Sequence, residues 1–175
     1  IRDRGNDVAG PHTVYIAPGT YTDNLSITDA DWNNGTIQGT SAHGSTDPAG
    51  WGDVVITKTG VHTIRCQSSG VTIKYIKFGD PQSDSYDCLY LDGPDFTGDH
   101  LWIYDASRYL VYNESGSTNT VFVSCRFMGS SSTRMVSMNG GGSFINCLFL
   151  PSETDYAGET GLFLGGTDKI YDISC

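Results

Sequence analysis

Charge is scarce in this chain of 175 residues, and basic charge is scarcest. Charged residues make up 17%, with ten Lys plus Arg against twenty Asp plus Glu and a net charge of −10. A nucleic-acid phosphate backbone is gripped by basic clusters, so this balance argues against nucleic acid as a partner. Hydrophobic residues, at 38%, suffice for the core of one domain and suggest no membrane span, so no membrane insertion is expected. No long helical period occurs; Gly (22 residues), Ser, Thr, Asn and Tyr suit turns and neutral polar strands instead. Cysteine supplies no framework. Five is an odd count, with no CxxC pair and no Cys/His set at zinc spacing, so the cysteines read as small reduced core residues, with a bridge between cysteines stacked on adjacent coils as the alternative. The chain opens at Ile1 without a charged-then-apolar leader, which reads as a processed or excerpted chain whose compartment is not written in it.

What is present is repetition. TVFVSCRFMG and GSFINCLFLP, within Thr120 to Leu150, are two versions of one phrase, with Cys125 and Cys147 at matching places. A small polar residue, Ser124 or Asn146, precedes each cysteine, and Phe127 or Phe149 follows two positions on. Strand, tight polar corner and strand therefore recur at a period of roughly 20 to 30 residues, the mark of a solenoid whose coils bury their apolar faces only by stacking. VTIKYIKF at 71–78 is a further copy, with Ile76 and Phe78 matching Cys125 and Phe127. HLWIYDAS at 100–107 is a looser one, and DKIYDISC at 168–175 matches as far as its cysteine. Residues 1–12 form a polar lead-in or cap, and coils run from 13 to 175 and are expected to continue beyond it.

A second ladder runs beside the first. CLYLDG, YLVYNE, MVSMNG and GLFLGG align so that Leu91, Tyr112, Met138 and Leu164 are equivalent. Period-two alternation turns Leu89, Leu110, Val136 and Leu162 inward with them. The outward rows are then Tyr90, Val111, Ser137 and Phe163, and beside them Asp92, Asn113, Asn139 and Gly165. An antiparallel sandwich would also show many short strands, but it has no reason to repeat the same phrase.

VYIAPGTYTDNLSI followed by GTIQG resembles the opening coil of the right-handed parallel β-helix proteins, the pectin lyase-like superfamily. With the later coils the resemblance covers most of the chain. It implies an all-β, single-stranded solenoid. It does not imply one activity, because the superfamily includes polysaccharide lyases, hydrolases, esterases, virus tailspikes and adhesins. HLWIYDAS is similar to a pectate lyase strand in which Trp-Ile precedes Asp-His, but Tyr104 and Asp105 stand at those places and the activity does not carry over. The signatures of pectin methylesterases and polygalacturonases are also missing.

Candidate chemistry is sparse. Seven aspartates crowd residues 80–105: Asp80, Asp84, Asp87, Asp92, Asp95, Asp99 and Asp105. They are compatible with solvated turns, with Ca2+ held by carboxylate and carbonyl oxygens, or with a glycosidase carboxylate pair; no EF-hand spacing selects among these. Arg65, Lys74, Lys77, Arg108 and Arg126 are the available cations, and His12, His43, His62 and His100 are scattered. No nucleophile elbow or triad pattern marks a catalytic residue. Trp51, in the inserted loop at 42–52, either stacks on a sugar or caps the core edge. Tyr90, Asp92, Asn113 and Asn139 either meet sugar hydroxyls or form a ladder that satisfies turn backbone.

The expected function is a structural or glycan-recognising module, extracellular or on a virus particle. Its partners are then a polysaccharide or cell-surface glycan and other subunits, with the homotrimer common among tailspikes implied by the resemblance. The alternatives are a polysaccharide lyase or glycoside hydrolase, and an adhesin passenger.

Overall fold

The structure, a computed structural model, describes residues 11–41, 44–48, 53–79, 85–106, 108–130, 134–150, 160–164 and 171–174. The chain winds through strands in threes. The first coil is β1 (Thr13–Ile16), β2 (Gly19–Tyr21) and β3 (Leu25–Ile27), followed by a 3-10 turn at Ala30–Trp32. The second is β4 (Thr36–Ser41), with β5 (Gly44–Pro48) folded back on it, then β6 (Val54–Thr57) and β7 (Ile64–Cys66). Next come β8 (Thr72–Lys74), β9 (Lys77–Gly79) and β10 (Leu89–Leu91), and then β11 (Thr97–Asp99), β12 (Trp102–Ala106) and β13 (Val111–Asn113). The fifth set is β14 (Thr120–Val123), β15 (Arg126–Ser130) and β16 (Arg134–Met138). β17 (Gly142–Ile145), β18 (Leu148–Leu150), β19 (Thr160–Leu164) and β20 (Tyr171–Ser174) complete the path.

Every third strand pairs in parallel with its counterpart one coil on, giving sheets β1-β4-β8-β11-β14-β17-β20, β2-β6-β9-β12-β15-β18 and β3-β7-β10-β13-β16-β19. The expected parallel solenoid is thus the observed fold. Among the described residues no helix is long and apolar enough to cross a membrane.

The register stacks like on like. Inward columns run Ile37, Ile73, Gly98, Phe122, Phe144 in the first sheet and Ile56, Phe78, Ile103, Phe127, Phe149 in the second. In the later coils these columns merge into an aromatic core. Phe122 and Phe144 stack at 5.3 Å, Phe127 and Phe149 at 4.8 Å, and Phe127 meets Phe122 edge-on at 5.4 Å. Offset and edge-to-face pairs at these separations add about 0.5–1.5 kcal/mol each beyond the area they bury.

The polar corner of the repeated phrase has a backbone cause. Tyr75, His100, Ser124 and Asn146 all take the left-handed conformation, with φ of 57°, 52°, 51° and 53°. This costs a non-glycine residue about 1 kcal/mol or somewhat more. Hydrogen bonding offsets the cost at three corners: the N–H of Tyr75 donates to Asp99 O, that of His100 to Val123 O and that of Ser124 to Ile145 O.

The structure corrects the second ladder at YLVYNE by one residue. Val111 pairs with Leu89 and Val136, Tyr112 with Tyr90 and Ser137, and Asn113 with Leu91 and Met138. Tyr112 therefore faces outward beside Tyr90, while Val111 and Asn113 face the core and Leu110 precedes the strand. The buried Asn113 is tolerated because its amide is satisfied. Nδ2 donates to Ser117 O at 2.9 Å and to Thr120 Oγ1 at 2.6 Å, and Oδ1 accepts from Gly140 N at 2.7 Å. Two smaller differences follow the same lesson. Part of the inserted loop at 42–52 forms a strand, pairing Thr40 with Pro48 and Ser41 with Gly44 in antiparallel fashion. β20 places Ile173 opposite Phe144, one residue away from the alignment by phrase.

Candidate functional site: the outward face of the third sheet

Pairing of β7, β10, β13 and β16 builds two outward rows. One is Arg65, Tyr90 and Tyr112, continued in register by Ser137, which is buried and so adds nothing to the exposed surface. The next residues form the other, Gln67, Asp92, Glu114 and Asn139, held by Asp92 N donating to Cys66 O, Glu114 N to Leu91 O and Asn139 N to Asn113 O. Tyr90 and Asp92 thus lie side by side as expected, and Asn139 lies in the row of Asp92. Asn113 is excluded from this surface, because its side chain is buried beneath it. Trp51 lies outside the described residues.

The upper row is an aromatic stack. Tyr90 and Tyr112 lie 5.9 Å apart at 16°, Tyr109 extends the stack at 5.4 Å from Tyr112, and His62 tilts over Tyr90 at 4.6 Å. Cations cover much of what the rings leave open. Arg108 sits 5.0 Å from the centroids of both Tyr109 and Tyr112, and Arg65 sits 5.6 Å from that of Tyr90. With ring faces shared among neighbours, the face presents phenol groups, guanidinium groups and ring edges. The Tyr90 hydroxyl donates to Glu114 Oε1 at 3.0 Å, and Gln67 Nε2 donates to Asp92 Oδ2 at 2.9 Å, linking groups within and between the rows. Burial raises the Tyr90 phenol to about 12, and its bond to Glu114 adds to the rise, so it is a neutral donor at ordinary pH.

Beneath one edge of this face lies a buried carboxylate. Asp87 has a fully buried side chain, 3.6 Å from Arg108 Nη1 and 3.6 Å from His62 Nδ1. Neither carboxylate oxygen makes a hydrogen bond of good geometry. Burial pushes its acid up to about 7, against the pull of the Arg108 guanidinium and the nearby Tyr109 N–H, while Glu114 adds to the rise. His62 Nδ1 accepts from the Asp87 backbone N–H at 3.0 Å, so the neutral ring carries its proton on Nε2. Burial lowers the His62 pKa, Asp87 opposes this, and Arg65 and Arg108 lower it further.

In the sequence His62 and Arg108 lie far apart, and Asp87 is one of seven crowded aspartates. The missing signal is the true register: Thr63 N donates to Asp87 O and Cys88 N to Tyr109 O, which sets His62, Asp87 and Tyr109 on neighbouring coils just before their strands. Asp92, Asp95 and Asp105 are exposed and Asp99 is half-buried, while Asp80 and Asp84 lie outside the described residues. Among the described residues no group of three or more His, Cys, Asp or Glu side chains is placed to hold a metal ion. Of the other cations singled out in the sequence, Lys74 lies on the first sheet and Lys77 and Arg126 on the second, where Lys77 Nζ lies 4.0 Å from the Trp102 ring and 4.5 Å from that of Tyr104. No protein-family model, curated protein or solved structure matches this chain.

Proposed function

We propose that the outward face of the third sheet recognises a glycan, as a module of an extracellular surface protein or a virus particle. One observation carries this reading: two adjacent rows, Arg65-Tyr90-Tyr112 and Gln67-Asp92-Glu114-Asn139, repeat hydrogen-bonding groups from coil to coil on a rigid scaffold. Sugars present hydroxyls at regular intervals, and a preorganised array of phenol, guanidinium, carboxylate and amide groups meets them with little ordering cost. Support for the extracellular or virion setting is the resemblance of the opening coil to pectin lyase-like proteins, and a partnership with further subunits rests on the same resemblance.

A panel of neutral and acidic polysaccharides, read by calorimetry and by an assay for new reducing ends or unsaturated products, tests the reading. Binding without turnover is expected. Tyr112→Phe, which deletes one hydroxyl, should weaken it about tenfold, the worth of roughly 1.4 kcal/mol for a lost hydrogen bond. Absence of binding across the panel, or binding unchanged by Tyr112→Phe and Glu114→Gln together, refutes it. New reducing ends or unsaturated products would instead indicate polysaccharide cleavage.

A further inference from the structure

We propose that Cys125 and Cys147 form an oxidisable dithiol that takes a small-molecule disulfide, such as glutathione disulfide, as its oxidant and closes into a covalent link between neighbouring coils. The two cysteines occupy the same corner of successive coils. Val123 pairs with Ile145 on one side of that corner and Arg126 pairs with Leu148 on the other, so Cys125 lies opposite Cys147. The backbone is tied at the same point, Leu148 N donating to Cys125 O at 2.9 Å. Residues opposed on adjacent parallel strands are about 4.8 Å apart, inside the Cα separation of about 4.4–6.8 Å that a disulfide spans. Both thiols are free.

The pair is asymmetric in the manner such chemistry uses. Cys147 is half-buried and open to a small reagent, whereas Cys125 is buried with 1% exposure. A hydrogen bond from the Cys125 thiol lowers the Cys147 thiol to about 7, while burial raises Cys125 far above the ordinary thiol range. Cys147 is therefore the thiolate that attacks first and Cys125 the thiol that resolves. The Cys147 thiolate attacks one sulfur of the oxidant, whose S–S bond breaks and releases one thiolate with the bonding electron pair. Cys125 then loses its proton to that thiolate and attacks the Cys147 sulfur, expelling the second. The two protein thiols are oxidised by two electrons, and one disulfide is reduced to two thiols.

The full chain is incubated with glutathione disulfide at mildly alkaline pH, then unfolded in denaturant containing iodoacetamide so that every remaining thiol is alkylated, and mapped by mass spectrometry without reduction. The expected result is loss of two alkylatable thiols and a peptide linking Cys125 to Cys147, reversed by dithiothreitol. Cys125→Ser should instead hold a stable glutathione adduct at Cys147. The buried Cys66, its thiol raised to about 12 by burial, serves as the internal standard and should stay unmodified until the chain is unfolded. The proposal is overturned if both thiols of the wild-type chain remain alkylatable, if the link joins any other pair, or if the wild-type chain stops at the adduct. The wild-type readout stands whether or not the variant folds.

Discussion

Asp87 sets a pH dependence whose sign follows from its position. Its acid titrates near 3.8 in an unfolded chain and near 7 in the fold, so folding favours the protonated form. That contribution is fully present below the unfolded value and is lost as pH rises through about 7, with a slope of up to about 1.4 kcal/mol per pH unit in between. The groups facing it are His62, Arg108, the Tyr109 backbone and, at longer range, Glu114. In Asp87→Asn, which cannot ionise, the melting temperature should depend less on pH between the two values than in the wild-type chain; superimposable profiles would disprove the burial of a titrating carboxylate. Residue placement was also where sequence reading met its limit. In YLVYNE, apolar ranking prefers Tyr112 to Asn113 for the core, because it cannot count hydrogen bonds supplied from elsewhere. Ser117, Thr120 and Gly140 come from the following turn and the next coil, and only their convergence makes the asparagine the better inward residue.

Strand identity was more legible than strand register. The repeated phrase with its cysteine was sufficient to align β14 with β17 and β15 with β18, because both copies carry the same corner at the same spacing. At β13 and β20, where no shared cysteine corner anchors the described residues, alignment by phrase slips by one residue. The face of the third sheet was accordingly half legible: Tyr90, Asp92 and Asn139 were found, whereas Tyr112 and His62 needed the pairing. Strand packing explains another feature, a glycine inside an otherwise bulky column. Gly98 stands between Ile73 and Phe122, and a Cβ there would press on the Phe122 ring and the Leu101 side chain. Gly98→Ala should therefore destabilise the protein by about 1–3 kcal/mol through overpacking, although alanine suits a strand better than glycine. Chemical denaturation checks this; a neutral or stabilising effect would show that the ring has room to move.

Across the whole molecule, pairing joins each coil to the coils before and after it, so stability is close to a sum of coil and junction energies. Removing an aromatic group should then be felt locally. Phe127 packs against Phe122, Phe144 and Phe149, and Phe127→Ala should cost about 3–5 kcal/mol. Amide hydrogen exchange should quicken in β12, β15 and β18 well before it does in β1 and β4; uniform acceleration would mean the coils unfold as one unit. The same pairing fixes how the protein bears force. Backbone hydrogen bonds between coils run along the solenoid axis, so axial tension falls on the junctions in series, while the strand pairs within a junction share it in parallel. The molecule then yields at its weakest junction and lengthens by one coil at a time, so that its extension under load is stepwise rather than smooth.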